Sequence, residues 1–291
     1  MVDKVQLLTS AFNNLKQYSD TSFVIQCNGS ILEDDNLLAS FAEDISSLQN
    51  AGVNIIIVHD GNNIVNSMID KLSLKGLSSN LSTGQASVEV VEMILSGYVN
   101  QKIVGRINQE GGCASGISGK DGKFITARRA KVARYDYSAS DKVLNFGFLG
   151  ELSLINPDIL FLLEENGMIP VISPMSLGED SRTYKMDAND ISSTIAAVLG
   201  VKKLIVISDS PGIMDSKGEV MQEVSMEYLT KMAAEEKGNT ELSANLRSGI
   251  MALEHNAEMV HLLDGKIPHV IMRQLFTDDL VGTTIKNTQS Y

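Results

Sequence analysis

Short runs of consecutive apolar residues alternate along this chain with longer segments in which apolar residues recur periodically. The continuous runs have the length of β-strands and do not alternate between apolar and polar positions. Such runs are typical of parallel strands that are buried on both faces of a sheet. The predicted strands are SFVIQC (22–27), VNIIIVH (53–59), VISP (171–174), KKLIVIS (202–208) and IPHVIM (267–272).

The periodic segments predict amphipathic helices, because their apolar residues return every three or four positions. Gly52, Gly111 and Gly200 close three of them, where glycine commonly ends a helix. The predicted helices span residues 36–52, 86–112, 190–200 and 245–257, and a further apolar stripe of Val5, Leu8, Phe12 and Leu15 predicts a helix before the first strand.

Strands that alternate with helices predict an α/β fold, a three-layer α-β-α sandwich around a central, mainly parallel sheet. A polar stretch at 176–190 follows the strand VISP. We place a lobe boundary there, which gives an N-terminal lobe of residues 1–178 and a C-terminal lobe of residues 179–291. In such sheets, ligands bind beyond the carboxyl ends of the strands, so the turns after the strands are the candidate site.

Composition excludes several classes of function. The chain has 291 residues, 43% of them hydrophobic, and a formal net charge of −12. This charge argues against nucleic acid and against an anionic membrane as partners, since both need clustered Lys and Arg. No apolar run reaches the roughly 18 residues of a membrane span, and we see no signal peptide. Cys27 and Cys113 look buried and lie far apart, so we expect neither a disulfide nor a metal site, and a cytoplasmic location.

Several segments together resemble acetylglutamate kinase, a member of the amino acid kinase family. They occur in the family's order over roughly residues 20 to 286, and they read VEVVEMILSGYVNQKIVGRIN (88–108), GISGKDG (116–122), GFLGELSLINPDIL (147–160), ENGMIPVISPMSLGED (165–180), SDSPGIMD (208–215) and HLLDGKIPHVIMRQLFTDDLVGTTI (261–285).

The resemblance implies the amino acid kinase fold. It also implies ATP with Mg²⁺, phosphorylation of the γ-carboxylate of N-acetyl-L-glutamate in arginine biosynthesis, and a homo-oligomer. The N-terminal lobe would hold the acetylglutamate-type site and the dimer interface, and the C-terminal lobe the nucleotide. The N-terminal helix resembles the one that interlaces dimers into a hexamer in arginine-inhibitable forms.

Phosphoryl transfer of this type depends on cations and on backbone N–H donors that neutralise the moving charge. At the positions that match the family's catalytic groups, the chain has Gln26 and Asn245 for two lysines and Asn189 for an Asp. We expect Gln26 to be a strand-end residue bonded to backbone. Asp190 or Arg247 could replace a lost charge only through a shift of register or a remodelled helix start.

The substrate positions are altered as well. Asp60 stands in a turn that reads Gly-Gly-Gly-Pro in the family, and at about 4 Å it would repel another anion by roughly 4 kcal/mol at an effective dielectric near 20. We therefore expect Asp60 to be a turn residue. The matching substrate positions are Asn28, Gly29, Asp60, Gly61, Asn62, Leu81 (for an Arg clamp) and Lys185 (for an Asn).

The nucleotide segments match the family better, and the effector segment matches it in part. Gln274 replaces a Glu of the arginine-type effector segment. The matching nucleotide positions are Lys120, Ser208, Asp209, Ser210, Pro211 and Gly212, and the effector positions are His269, Gln274 and Gly282.

Three hypotheses follow. The first is a catalytically deficient acetylglutamate kinase homologue that acts as a structural or regulatory subunit, pairing with an active paralogue through the 86–112 helix or the N-terminal helix. The second is an active kinase with a rearranged site that uses Lys185, Asp190 and Arg247. The third is a binding protein for a neutral or cationic ligand.

Overall fold

The computed structural model describes residues 16–72, 85–130, 148–235, 241–277 and 281–286. The predicted N-terminal helix and Leu81 lie outside these residues. The described strands are β1 (Ser22–Cys27), β2 (Asn54–His59), β3 (Ala114–Ser118), β4 (Ile125–Arg129), β5 (Gly150–Ile155), β6 (Ile169–Ser173), β7 (Met175–Gly178), β8 (Thr183–Lys185), β9 (Lys203–Ser208), β10 (Glu223–Ser225), β11 (Met259–Asp264) and β12 (Gly282–Lys286).

The helices alternate with these strands through most of the described chain. They are α1 (Ser30–Glu33), α2 (Asp35–Asn50), α3 (Asn62–Lys71), α4 (Gln85–Glu92), α5 (Asn100–Gln109), α6 (Asp158–Glu165), α7 (Ala188–Leu199), α8 (Met226–Glu235), α9 (Glu241–Glu254) and α10 (Val270–Phe276), with a π-helical segment Met93–Val99 that joins α4 to α5 and a 3₁₀ turn at Asp121–Lys123.

The central sheet has eight strands in the order β10-β12-β11-β9-β1-β2-β6-β3, and every pairing except β11 with β12 is parallel. Successive residues of β1 face opposite sides, as the pleat requires. Phe23 and Ile25 join a core with α2, α3 and α5, and Val24 joins a second core with α7, α8 and α9. Helices thus cover both faces, which confirms the predicted three-layer fold.

The predicted strand at 267–272 is wrong. His269, at φ 54°, caps a helix that runs from Val270 to Phe276, and the strand of this region is β11. A short apolar run does not by itself distinguish a buried strand from a buried helix. The other predicted strands are present within two residues of the expected bounds.

The predicted lobe boundary falls in the turn between β7 and β8, which pair antiparallel from Met175↔Lys185 to Leu177↔Thr183. These two strands belong to a smaller sheet of order β5-β4-β7-β8. The division into lobes stays a prediction.

Both cysteines are free, as predicted. The expectation that both are buried is wrong for Cys113, which is exposed after α5. Among the described residues, no helix is both long and apolar enough to span a membrane.

Candidate functional site

The turns after β1, β2 and β9 lie side by side at one edge of the central sheet. The register sets Cys27 opposite both His59 and Ile207, so the chain leaves these three neighbouring strands at one level. Asn28 N–H donates to the Ile207 carbonyl at 3.0 Å, and Asp60 N–H donates to the Cys27 carbonyl at 3.1 Å. The fold therefore brings together the two turns and the 208–212 loop that the sequence predicted as one site.

An ion pair occupies the turn after β2. Lys185 Nζ lies 3.4 Å from Asp60 Oδ1, and the two side chains are only 5% and 13% exposed. Asp60 Oδ1 also accepts the Gly61 N–H at 2.8 Å, and Asp60 Oδ2 accepts the Asn62 side-chain amide at 3.0 Å. Asp60 is thus more than the turn residue that we expected, because it is the anion of a nearly buried pair.

A neutral histidine, His59, is hydrogen-bonded to the backbone of this turn. His59 is fully buried, and its Nδ1 lies 2.9 Å from the Asp60 carbonyl, to which it donates. Its Nε2 can then accept the Asn100 side-chain amide at 3.2 Å. Burial lowers the pKa of His59 to about 4, and the charge of Lys185 adds to this effect against that of Asp60. The imidazole therefore holds the turn without contributing positive charge at neutral pH.

In the turn after β1, backbone N–H groups also donate to side chains of the protein. Gly29 N–H donates to Asn28 Oδ1 at 2.7 Å, and Ser30 N–H donates to Asp209 Oδ1 at 2.8 Å. Gly29 has φ 71°, and a Cβ there would lie 2.6 Å from Asp209 Oδ1. Glycine is thus required here both by the left-handed backbone and by the carboxylate above it.

Three carboxylates, those of Asp60, Asp209 and Glu241, lie near one another at these turns. Asn28 Nδ2 donates to Glu241 Oε1 at 3.3 Å, which links the turn after β1 to the start of α9. Loss of solvation, and then the charges of Asp209 and Asp60, raise the pKa of Glu241. Lys266 Nζ donates to the Asp209 carbonyl at 2.9 Å. The site therefore combines these carboxylates with Lys185, which is already paired, and with a surface lysine.

The predicted catalytic positions carry neutral side chains. Gln26 is 2% exposed, and its Oε1 accepts the Ser192 hydroxyl at 2.8 Å, a side-chain partner where we expected a backbone one. Asn245 is buried and donates to Ser208 Oγ at 3.4 Å. Asn189 donates its side-chain amide to Asp187 Oδ1 at 3.2 Å, and its own Oδ1 is buried with no hydrogen-bond partner among the described residues.

Residues 22–271 match the model of the amino acid kinase family. The chain belongs to the amino acid kinase family. It is 33% identical over 284 residues to acetylglutamate kinase from Methylobacillus flagellatus, an alignment that covers 97% of this chain and 96% of the relative.

Solved structures agree on the amino acid kinase fold. N-acetylglutamate synthase from Neisseria gonorrhoeae, complexed with coenzyme A and N-acetyl-glutamate, superposes with a TM-score of 0.79 at 19% identity. The match covers 99% of this chain, which spans 64% of the synthase chain. Carbamate kinase from Giardia lamblia, bound to AMP-PNP, matches with a TM-score of 0.65 at 11% identity over 92% of this chain and 98% of its own.

Within this family member, the nucleotide-type loop is held to the strands beside it. Ser210 N–H donates to Ser208 Oγ at 3.3 Å, and Ser210 Oγ donates to the Gly212 carbonyl at 3.3 Å. Gly212, after Pro211, has φ 120° and lies against Thr283, whose Oγ1 accepts the Ile213 N–H at 2.8 Å.

Lys120 does not join this loop. Its Nζ lies 2.6 Å from Glu92 Oε1 and donates to Thr183 Oγ1 at 2.8 Å. Lys120 follows β3, four strands away from β9. At about 4.8 Å per strand, that is roughly 19 Å across the sheet. The structure therefore does not bring it together with Ser208–Gly212.

Of the residues considered as replacements for lost charge, Lys185 is in the ion pair with Asp60, Asp190 lies on α7 and Arg247 lies on α9. Asp187 caps α7 by accepting the Asn189 N–H at 2.8 Å, so this helix begins at Ala188 rather than at 190. Asp190 lies in its first turn. Arg247 is exposed, whereas Asn245 two positions earlier is buried, as expected for different faces of α9. Within the described part of the chain, no group of three His, Cys, Asp or Glu is arranged to hold a metal.

The effector-type positions lie around α10 and at the start of β12, and Gly282 is level with the turns because Leu263 pairs with both Ile207 and Gly282. His269 Nδ1 lies 2.8 Å from Asp44 Oδ1, and burial raises the pKa of Asp44 to about 6 against the opposing effect of His269. Gln274 is buried, donates to Thr284 Oγ1 at 2.9 Å and accepts the Val281 N–H at 3.0 Å. Gly282 begins β12 beside this glutamine.

Sequence reasoning missed three contributors to the site: His59, Ser192 and Glu241. It also missed that Asp60 and Lys185 are partners. A signal for the pair was present, since the resemblance places an added acid and an added base in the same substrate site. The positions of Ser192 and Glu241 gave no such signal, because they follow from helix packing over the sheet.

Proposed function

We propose that this chain is a catalytically deficient homologue of acetylglutamate kinase that acts as a structural or regulatory subunit. One observation carries the proposal: three backbone N–H groups of the two turns, those of Gly29, Ser30 and Gly61, already donate to side-chain oxygens of the protein. Backbone donors of this kind bind and stabilise transferred phosphoryl groups only while they are free to do so.

Electrostatics supports the same proposal. The transferred phosphoryl group carries negative charge that a kinase neutralises with lysines and Mg²⁺. Here the matching positions are Gln26 and Asn245, and the nearby Lys185 is paired with Asp60. Asp209 and Glu241 add negative charge. These residues do not fit a bound triphosphate.

The rearranged kinase has less support. It requires Lys185 as a free cation, but Lys185 lies beside Asp60.

The helical segment at 85–109 carries the surface that supports a subunit role. Met93 and Tyr98, on its π-helical segment, are 63% and 47% exposed, although the same segment buries Ile94 and Leu95. Exposed apolar side chains of this size are typical of a contact surface. We propose that this helix pairs with a second copy or with an active paralogue. The hexamer through the N-terminal helix and the cytoplasmic location stay predictions.

A phosphorylation assay tests the proposal. The pure protein is incubated with ATP, Mg²⁺ and N-acetyl-L-glutamate, and acetylglutamyl phosphate is measured, with the acetylglutamate kinase of Methylobacillus flagellatus as the positive control. We expect no product above background. Turnover of about 1 per second or faster, the ordinary range for kinases, would contradict the proposal. A trace rate that Asp209→Ala leaves unchanged would identify a contaminating kinase.

Two further measurements distinguish the possible roles of an inactive protein. Association that increases with protein concentration, measured by sedimentation, supports the subunit role. A thermal-shift screen in which a neutral or cationic compound stabilises the protein would favour ligand binding instead, because binding to the folded state raises its stability.

A further inference from the structure

The central strands β2 and β6 are neighbours in the sheet, but they pair with each other only toward their carboxyl ends. β2 pairs with β1 along its whole length, and β6 does the same with β3. Between β2 and β6, pairing is limited to Ile57↔Val171 and Val58↔Ile172. Pro170, just before the first of these pairs, has no N–H to donate, and proline within a sheet marks an edge or a break in pairing. The two strands therefore leave a gap between their first residues.

This gap forms a cavity of about 120 Å³ whose lining is mostly apolar. An apolar cavity of about 150 Å³ holds a benzene molecule, so this one has room for about five non-hydrogen atoms. Gln49 fixes one wall, because its Nε2 donates to the Gly167 carbonyl at 2.8 Å and its Oε1 accepts the Cys113 N–H at 2.9 Å. The apolar residues of the lining are Val53, Ile55, Ile56, Leu160, Met168, Ile169 and Pro170.

The charge of the cavity is that of Glu164. Glu164 is one helical turn from Leu160 on α6, and Leu160 is only 2% exposed, so both side chains lie on the face of α6 that covers the gap. The Glu164 side chain has no hydrogen-bond or ion-pair partner among the residues that the structure describes. None of the described residues that line the cavity is Lys or Arg. An unpaired carboxylate beside an apolar cavity is complementary to a cation that carries an apolar chain.

We propose that this gap binds a small primary amine with an apolar chain of about four carbons, whose ammonium pairs with Glu164 while the chain fills the space between β2 and β6. The net charge of −12 favours a cationic ligand further. The cavity lies at the start of β2, five residues or roughly 17 Å from the turn that follows this strand. It is therefore a site separate from the turns, and the inference does not depend on whether the protein has kinase activity.

A titration with n-butylammonium, followed by ¹⁵N NMR of the natural protein, tests this inference. We expect saturable shifts of the Ile55 and Ile56 amide signals, because both residues line the gap. Butyrate, which has the same chain length and the opposite charge, should shift neither signal. Glu164→Gln keeps the shape of the side chain but removes its charge, and should weaken n-butylammonium binding about tenfold. Glu165→Gln removes the next carboxylate of α6, which is exposed, and as the matched control should bind as tightly as the natural protein.

The absence of saturable shifts with n-butylammonium would overturn the inference, and so would an equal response to butyrate. Equal weakening in Glu164→Gln and Glu165→Gln would also overturn it, because binding would then come from the general negative charge of the protein rather than from this cavity. If the Ile55 and Ile56 signals instead shift with protein concentration when no amine is present, a second copy of the chain covers the gap, and the amine site is refuted.

Discussion

Ser192 Oγ donates a hydrogen bond to Gln26 Oε1 at 2.8 Å, and both side chains are buried between α7 and β1. This contact fixes a neutral amide at the end of the first strand, where the family resemblance predicts a lysine. The glutamine is therefore a satisfied part of the core, and its position depends on a hydroxyl from the helix that packs over it.

Ser192→Ala should destabilise the protein by about 1–3 kcal/mol, because it leaves the buried Gln26 oxygen without a donor. The free energy of unfolding in urea measures this change. Ser153→Ala, which removes an exposed hydroxyl that donates to Glu179, should change stability by no more than about 0.5 kcal/mol. If the two variants are equally stable, the Gln26 contact contributes nothing to the fold.

His59 should make the protein less stable in acid. Its pKa is about 4 in the folded protein against 6.5 unfolded, so the unfolded chain binds more protons between these values. Stability from neutral His59 is fully present above about pH 6.5 and is lost as the pH falls through 4, by up to about 3 kcal/mol. Urea unfolding at pH 7 and pH 4 should show this loss in the natural protein and a smaller one in His59→Gln. The exposed His255→Gln serves as control, and an unchanged pH dependence in His59→Gln would refute the assignment.

Asp44 should have the opposite effect. Its pKa of about 6 in the folded protein exceeds the ordinary 3.8, so the folded chain binds more protons between these values. The associated stability is present below about pH 3.8 and is lost as the pH rises through 6, by up to about 3 kcal/mol. The stability of Asp44→Asn relative to the natural protein should therefore increase from pH 4 to pH 7. If the difference in free energy of unfolding between Asp44→Asn and the natural protein stays constant from pH 4 to pH 7, Asp44 titrates normally.

L-arginine should not raise the melting temperature. Both polar atoms of Gln274 are used, by Thr284 and by the Val281 N–H, and this residue lacks the charge that would pair with a guanidinium. Thermal-shift measurements over a millimolar titration test this expectation, because a ligand of the folded state must stabilise it. A saturable upward shift would show that the effector-type site still binds arginine.

The sequence predicted β1, β2, β6 and β9 because these parallel strands are buried on both faces and therefore appear as continuous apolar runs, whereas β3, β10, β11 and β12 of the same sheet were missed. The same signal failed at 267–272, where an apolar run belongs to α10. The strands of the smaller sheet were missed as well, because β4, β5 and β7 include exposed positions and β8 is only three residues long.

At the site, the turns could be located because parallel strands end at one edge. The Asp60–Lys185 pair could not be derived from local pattern, because the two residues are distant in the chain and meet only where the fold brings the end of β8 to the turn after β2. Lys120 shows a different error. Its motif matches the family's nucleotide segment, but its side chain contacts Glu92 and Thr183 instead.

Amide resonances of Gly29, Ser30 and Gly61 test the central claim most directly. In a titration with ATP, Mg²⁺ and N-acetyl-L-glutamate followed by ¹⁵N NMR, these three signals should not move, because their N–H groups already donate to Asn28, Asp209 and Asp60. Saturable shifts of these amides on addition of nucleotide or acetylglutamate would contradict the account, since they would mean that the donors are released to bind a phosphoryl or carboxylate group.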